Sequence, residues 1–139
     1  MAYKYIEGIT RADVAFEAYG KTLEQMFSSA AQAVEEVQVD VSRIQGSETR
    51  EIKLENEDIE KLLFDFLSEL VYYKDAEQLV FSKFDIKIKD GYTLKGKLTG
   101  EKIDFQKHNP KVDVKAITLH MFKVEKTDSG WKCFVIADI

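Results

Sequence analysis

Apolar residues in two stretches of the chain recur every three or four positions, which is the spacing of one face of a helix. The first predicted helix follows Thr22, an N-cap residue whose side chain can form a capping box with Gln25. The second is predicted to open at Asn56, with acidic residues that favour its first turns. The apolar positions are Leu23, Met26, Phe27, Ala30, Ala31 and Val34 in the first stretch and Ile59, Leu62, Leu63, Phe66, Leu67 and Leu70 in the second. Each helix is therefore expected to bury one face.

Alternation of apolar and polar residues predicts strands in much of the remaining chain. The alternating stretches are residues 12–19, 84–89, 92–98, 116–126 and 131–138. Asp90-Gly91 is the preferred pair for a two-residue type I′ hairpin, and residues 127–130 predict a second hairpin. The pattern therefore predicts an α+β fold in which two amphipathic helices pack on a largely antiparallel β-sheet.

The length and composition of the chain predict one folded domain, residues 1–139. A hydrophobic content of 45% exceeds what a disordered chain carries. No apolar run approaches the ~20 residues of a membrane span, and no charged-then-apolar leader opens the chain. We therefore expect a cytoplasmic protein with no membrane partner. The single cysteine, Cys133, cannot form an internal disulfide and is expected to lie in the core.

The charge balance favours a protein partner over direct binding of RNA. Twenty basic residues stand against 25 acidic residues, which gives a net charge of -5. A chain of that charge repels a nucleic acid as a whole. Lysines are nevertheless frequent between residues 83 and 107: Lys83, Lys87, Lys89, Lys95, Lys97, Lys102 and Lys107. Their spacing predicts the solvated face of a sheet, with a local basic patch as the alternative.

Recognisable catalytic motifs are absent from the sequence. It has no phosphate-binding loop, no Rossmann glycine pattern, no His-Glu-x-x-His pair and no Gly-x-Ser-x-Gly elbow. The two histidines are isolated: His108 falls in a predicted loop, residues 103–112, and His120 falls in an apolar strand. We expect His120 to be a hydrogen-bonded structural residue. The sequence therefore shows no nucleophile with an obvious base.

Carboxylates are the candidate functional groups that remain. Asp13 opens a predicted strand, Asp40 follows the first helix, and Asp138 and the α-carboxylate of Ile139 end the last strand. Acids from separated segments that meet at one end of a sheet would suit a hard divalent cation. Strict alternation places Asp138 on the same face as two apolar residues, where a charge should be paired or coordinated. Each acid also fits a helix cap, a turn or a solvated surface position.

Lys115 lies among apolar neighbours in the stretch Val-Lys-Ala-Ile-Thr, residues 114–118. Two interpretations of this position stay open. The lysine stem can lie along the sheet while its ammonium group reaches water. Alternatively, the ammonium group pairs with the acidic cluster and takes part in function.

Five segments together resemble the archease family, in order and spacing, across nearly the whole chain. They are Ala-Asp-Val at 12–14, Ala-Tyr-Gly-Lys-Thr-Leu-Glu at 18–24, Leu-Leu-Phe-Asp-Phe-Leu at 62–67, Val-Lys-Ala-Ile-Thr at 114–118 and Val-Ile-Ala-Asp-Ile at 135–139. The resemblance implies a small α+β protein that activates the RtcB-type RNA ligase, which joins RNA ends in tRNA splicing with GTP and Mn²⁺. It further implies an accessory role, in which the protein promotes guanylylation of the ligase and repeated turnover.

The same resemblance implies roles for particular residues. Asp13, Asp138 and the carboxylate of Ile139 would hold a divalent metal ion, namely Ca²⁺, Mg²⁺ or Mn²⁺, with Asp40 as a further member. Lys115 would be a further functional residue. The ligase would be the partner and the user of GTP, and RNA would be reached only indirectly.

Two other functions are compatible with the sequence. The first is a protein-binding chaperone or scaffold whose acidic site is incidental. The second is a metal-dependent hydrolase that uses the same acids, which would need a substrate pocket and a base with a pKa near neutrality.

Overall fold

The computed structural model describes residues 2–7, 13–90 and 92–139. Within these residues the chain forms seven strands, two α-helices and one short 3-10 helix, Val41–Arg43. The elements are β1 Tyr3–Ile6, β2 Asp13–Gly20, α1 Leu23–Gln38, β3 Glu48–Glu55, α2 Ile59–Glu77, β4 Leu79–Lys89, β5 Thr93–Lys102, β6 Ala116–Thr127 and β7 Gly130–Asp138.

The strands form two sheets rather than one. The first sheet has four strands in the order β1-β2-β7-β6, and the second has three strands in the order β3-β5-β4. Every strand pair that the structure describes is antiparallel. The predicted α+β class and antiparallel pairing are therefore confirmed, while the strands divide between two sheets.

Both helices lie between the two sheets. Helix α1 contacts β2 and β7 of the first sheet and β4 of the second, and α2 contacts β6, β4 and β3. The two helices also contact each other, with the rings of Phe27 and Phe66 stacked at a centroid distance of 5.8 Å. The expectation of one buried face is confirmed for α2, whose buried residues follow one stripe. Helix α1 is buried over a wider surface, because it also buries Ala33, Glu35 and Gln38. In the described part of the chain, no helix is long and apolar enough to cross a membrane.

The predicted N-cap of α1 is confirmed and that of α2 is wrong by two residues. The Gln25 amide donates to the Thr22 hydroxyl at 3.1 Å, as in a capping box. Helix α2 is capped by Asp58 instead of Asn56. The reason is that the main-chain N–H of Asn56 still bonds to the carbonyl of Tyr92 beside the end of β3. The chain is therefore extended at Asn56 and turns into the helix only afterwards.

The two predicted hairpins differ in how closely they match the prediction. The β6–β7 hairpin is confirmed, because Thr127 pairs with Gly130 across a two-residue turn. The β4–β5 hairpin also forms, but Lys89 pairs with Thr93, which leaves three residues in the turn instead of two. The type I′ geometry predicted for Asp90-Gly91 includes Gly91, which lies outside the described residues, as does Ala12 of the predicted strand 12–19.

Strand β6 loses its regular pairing with β7 between Thr118 and Lys123. Within this interruption Met121 has a φ of 56°, in the left-handed region that is uncommon for residues other than glycine. His120 is exposed here, so the expectation of a structural histidine in an apolar strand is wrong. Alternation alone could not reveal that the pairing register shifts at this point.

The predicted core position of Cys133 is confirmed. Its side chain is 1% exposed, and burial raises the pKa of the thiol to about 12. The thiol therefore stays protonated near neutral pH and serves as a small apolar side chain.

Candidate functional site

Asp13 and Asp138 lie directly opposite each other in the pairing of β2 with β7. Directly opposed residues point to the same face of an antiparallel sheet, with Cβ atoms roughly 4.5–5.5 Å apart. Both aspartates are half-buried, and the half-buried side chain of Ile139 packs against the core immediately after Asp138. The fold therefore brings two of the candidate acids together at one end of the two central strands of this sheet.

Lys115 lies on the other side of Asp138 from Asp13. Its main-chain N–H donates to the carbonyl oxygen of Asp138 at 2.8 Å. The next residue, Ala116, opens β6 and is the direct partner of Asp138 in the sheet. The side chain of Lys115 is exposed. The structure thus places Lys115 beside the two aspartates and gives it access to solvent.

Asp40 is placed differently from the other candidate acids. It caps the short 3-10 helix, accepting bonds from the Ser42 amide at 3.1 Å and the Ser42 hydroxyl at 2.6 Å. Its other carboxylate oxygen lies 3.3 Å from the guanidinium group of Arg43. The hydrogen bonds from Ser42 and the charge of Arg43 lower the pKa of Asp40. Its carboxylate is thus engaged locally, and its role as a metal ligand stays a prediction.

An open groove of about 620 Å³ begins beside Asp13. It runs between strands β1 and β2 on one side and the end of α1 on the other. Its charged lining residues are Glu7, Asp13, Glu36 and Lys111, of which Glu36 and Lys111 form an ion pair at 3.5 Å. Asp40 does not line this groove. The groove therefore gives solvent access to Asp13 and carries more negative than positive groups.

The donor set at this end of the sheet fits a hard cation. No group of three or more His, Cys, Asp or Glu side chains converges to hold a metal ion within residues 2–7, 13–90 and 92–139. The two opposed aspartates supply two side-chain carboxylates, and the role of the Ile139 carboxylate stays a prediction. Oxygen-only ligands suit Ca²⁺, Mg²⁺ and Mn²⁺, whereas softer metals prefer nitrogen or sulfur. A cation would also relieve the repulsion of two like charges in opposed positions.

Two buried side chains, one from each helix, hold the chain just before Lys115. The main-chain N–H of Val114 donates to Oε1 of Gln38 at 3.2 Å, and its carbonyl accepts from Nζ of Lys74 at 2.7 Å. The Lys111 amide also donates to the main-chain carbonyl of Gln38 at 2.8 Å. We call Gln38 and Lys74 the Val114 clamp. Because the clamp fixes both polar groups of Val114, it fixes the path of the chain into Lys115 and β6.

Glu35, in the core, binds the side chain of Gln38 and so holds one member of the Val114 clamp in place. It is fully buried and accepts bonds from the side chain of Gln38 at 3.0 Å and from the amide of Phe81 at 2.6 Å. Burial raises the pKa of Glu35 to about 8, although both hydrogen bonds act in the opposite direction.

Sequence reasoning did not single out Glu35, Gln38 or Lys74, although one signal was present. Gln38 and Lys74 each fall four residues after the last apolar position of a predicted stripe, Val34 and Leu70 respectively. A polar residue that continues an apolar stripe is placed toward the core, where it needs a partner.

His108 anchors the loop between β5 and β6. Its ring is fully buried, and Nδ1 accepts a bond from the Asp104 amide at 2.9 Å. The ring proton is therefore on Nε2, which lies 2.7 Å from a carboxylate oxygen of Glu101. Burial opposes ionisation of Glu101, but bonds from Gln45, Lys107 and His108 outweigh it and lower its pKa to about 2. Both ring nitrogens of His108 are thus used to hold the loop.

Comparison with known proteins gives matches over almost the whole chain. The model of the archease protein family matches residues 3–139. The archease of Pyrococcus abyssi is 45% identical over 132 residues, which cover 92% of this chain and 93% of the relative.

Two solved structures have the same fold. A protein of Methanobacterium thermoautotrophicum, solved in solution, has a TM-score of 0.85 and 38% identity, covering 99% of both chains. The crystal structure of a Thermotoga maritima archease, described as a possible chaperone, has a TM-score of 0.67. Its identity is 23%, covering 96% of this chain and 97% of that one, so it supports the fold alone. The family match and the identity to the Pyrococcus protein place this chain in the archease family.

Proposed function

We propose that this protein is a cytoplasmic accessory factor that activates an RtcB-type RNA ligase in tRNA splicing. It acts through Asp13, Asp138 and the carboxylate of Ile139, which we call the acidic edge. Membership of the archease family supports the role, and the direct opposition of Asp13 and Asp138 in the sheet supports the site. Two carboxylates at directly opposed positions place oxygen ligands where one cation could contact both.

The proposed ligand at the acidic edge is a hard divalent cation, Ca²⁺, Mg²⁺ or Mn²⁺. Asp13 and Asp138 would hold it with their carboxylates, and the carboxylate of Ile139 would add a third oxygen group. Bound there, the cation supplies positive charge to which phosphate oxygens are attracted. Asp40 is a weaker candidate, because Ser42 and Arg43 already engage its carboxylate.

The rigid surroundings of the acidic edge suit a group that is presented to a partner. Asp13 and Asp138 lie on the two central strands of a four-stranded sheet, and the Val114 clamp fixes the segment that leads into Lys115. Guanylylation of the ligase with GTP develops charge on phosphates, and pre-positioned charges can contribute several kcal/mol to such a step. Lys115 adds a positive group beside the two acids. The direct partner of the acidic edge is the ligase protein, to which the edge would present its cation.

Transfer of labelled GMP from GTP to the ligase tests the proposal. We expect the native protein to accelerate labelling and the Asp138→Asn variant to lose this effect. Asp128→Asn is the matched control, because Asp128 lies in the turn at the opposite end of the same hairpin and is exposed. Equal acceleration by the Asp138→Asn and native proteins would refute the role of the acidic edge.

A protein-binding chaperone or scaffold is the second candidate function. The irregular part of β6 exposes two large apolar side chains, Leu119 at 65% and Met121 at 61%. Exposed apolar groups of this kind are common at protein-binding surfaces. This function predicts that ligase binding and activation survive both metal chelation and Asp138→Asn.

A metal-dependent hydrolase remains the third alternative. It predicts that the isolated protein releases phosphate from a nucleotide and that Asp13→Asn abolishes this release. His108 is a poor general base, because both of its ring nitrogens are already bonded within its own loop and to Glu101.

A further inference from the structure

The outer face of the β3-β5-β4 sheet carries a concentration of exposed lysines. The helices cover the opposite face of this sheet, where Ile52, Ile86 and Leu94 are buried. The exposed lysines are Lys53 on β3, Lys83, Lys87 and Lys89 on β4, and Lys95 and Lys97 on β5. We call these six residues the lysine face. The predicted solvated sheet face is therefore confirmed for five of its seven lysines. Of the other two, Lys107 forms an ion pair with Glu101, and Lys102 is the strand partner of Leu79 at the end of β5.

Three of these lysines stand in one row across the three strands. Lys95 on the central strand is the direct partner of Lys53 on one side and of Lys87 on the other. Neighbouring strands are ~4.8 Å apart, so three positive side chains leave the sheet within about 10 Å. Like charges in directly opposed positions destabilise a sheet. The mutual repulsion of these three lysines therefore destabilises the fold by itself, and a bound anion from outside the chain would offset it.

Charged side chains of the β1-β2-β7-β6 sheet form ion pairs. On its outer face, lysines and glutamates of four strands alternate in ion pairs. The pairs are Lys4 with Glu17 at 3.4 Å, Lys132 with Glu17 at 3.5 Å, Lys132 with Glu125 at 3.2 Å and Lys123 with Glu125 at 3.4 Å. On the lysine face Lys97 is the direct sheet partner of Glu51 and of Asp85. Even so, no ion pair within the described residues joins any of the six lysines to a carboxylate.

The lysine face is also concave. Five of its lysines line an open groove of about 620 Å³, together with the acids Glu51 and Asp85. Glu55 is the third exposed acid on this face, so exposed positive groups outnumber exposed negative ones by two to one. The half-buried Glu101, on the same face of β5, is held by Lys107 and His108. Although the whole chain has a net charge of -5, this groove is locally basic. The negative net charge of the chain therefore does not prevent a polyanion from binding at this groove, because the groove itself is basic.

We propose that the lysine face binds the phosphate backbone of an RNA strand, the choice of RNA over DNA resting on the proposed function. Lysine ammonium groups on flexible stems can follow a line of phosphates without fixed geometry. The large exposed apolar side chains of the described chain all lie elsewhere: Tyr5, Tyr72, Phe105, Val112, Leu119 and Met121. The face therefore lacks the apolar anchors that a bilayer or a protein interface would require. It also lacks an exposed aromatic ring for base stacking, so binding is independent of sequence.

Binding of a fluorescent oligouridine RNA to the isolated protein, without ligase, tests the proposal. If three phosphates are contacted, affinity should fall about twenty-fold between about 50 and 200 mM salt. The variant that carries Lys53→Gln, Lys87→Gln and Lys95→Gln should bind at least about tenfold more weakly and lose most of this salt dependence. All three side chains are exposed, so the variant should fold, which circular dichroism and thermal unfolding verify.

The matched control replaces three exposed lysines outside the face with glutamine: Lys21, Lys61 and Lys126. It should bind RNA as the native protein does, and so should Asp138→Asn, which separates this proposal from the role of the acidic edge. Equal RNA affinity of the native and triple lysine-face variants would overturn the proposal. So would tighter binding of anionic vesicles, polyglutamate or a DNA strand of the same length than of RNA.

Discussion

Asp13 and Asp138 face each other as direct partners on the two central strands of the four-stranded sheet. Elsewhere on this face an acid meets a base, as where Glu17 lies between Lys4 and Lys132. At the acidic edge, two acids meet instead. Two carboxylates at directly opposed positions offer oxygen ligands to one hard cation, which is the physical basis for expecting a cation there.

Addition of Ca²⁺, Mg²⁺ or Mn²⁺ should raise the thermal midpoint of the native protein. A ligand present at about one hundred times its dissociation constant adds about 2.7 kcal/mol to the free energy of unfolding. Asp138→Asn should lose most of this stabilisation because it removes the negative charge of one carboxylate, whereas Asp128→Asn should retain it. Scanning calorimetry with and without chelator measures both, and an unchanged metal response in Asp138→Asn would argue against the site.

Addition of one glycine after Ile139 should weaken the metal-induced stabilisation. The extension turns the carboxylate of Ile139 into an amide carbonyl and moves the charge one residue further on. The fold should persist, because β7 ends at Asp138 and keeps its pairing. Calorimetry in chelator provides the control, and an equal metal response in both chains would remove Ile139 from the ligand set.

Lys74→Met should destabilise the protein by about 1–3 kcal/mol, because the buried carbonyl of Val114 loses its donor. The carboxylates that pair with Lys74, on Asp75 and Asp113, are 59% and 62% exposed and can return to water. Their pairing therefore contributes little. Urea unfolding measures the loss, and Lys61→Met on the exposed side of α2 is the control. Equal stability of the two variants would contradict the importance of the Val114 clamp.

The stability of the protein should fall as pH rises between about pH 6 and pH 8 because of Glu35. Its pKa is about 8 in the folded state against 4.5 in the reference state, so the folded protein binds more protons in this window. The contribution is complete below pH 4.5 and is lost as pH rises through 8. The slope from one such group is at most about 1.4 kcal/mol per pH unit.

Urea unfolding at several pH values checks this sign. Glu35→Gln resembles the protonated carboxyl and should flatten the pH dependence, while Glu36→Gln at the neighbouring, half-buried position should keep it. A native protein that gains stability from pH 6 to pH 8, or a Glu35→Gln variant with the native slope, would show that Glu35 is ionised in the fold.

Much of the fold was predictable because its signals are local. The cap at Thr22, the stripes of both helices and the turn between Thr127 and Gly130 each depend on residues close in sequence. The division into two sheets was not predictable, because alternation shows that a strand has two faces but not which strand lies beside it. The start of α2 was missed for the same reason, since the bond from Asn56 to Tyr92 joins distant segments.

The candidate site shows the same limit. The hypothesis of an acidic cluster named Asp13 and Asp138, and their opposition follows from a β2–β7 pairing that no local pattern reveals. Asp40 also lies at the end of an element, yet its carboxylate accepts a hydrogen bond from Ser42 and pairs with Arg43. Sequence patterns thus identified acids at element ends, while the register of the strands decided which of them meet.

Product formed per ligase molecule is the most direct test of the central claim. RNA ligation would be followed with limiting RtcB-type ligase, GTP and Mn²⁺, without added protein and with the native, Asp138→Asn or Asp128→Asn protein. We predict repeated turnover with the native and Asp128→Asn proteins and about one product per ligase otherwise. Repeated turnover with Asp138→Asn, or none with the native protein, would contradict activation through the acidic edge.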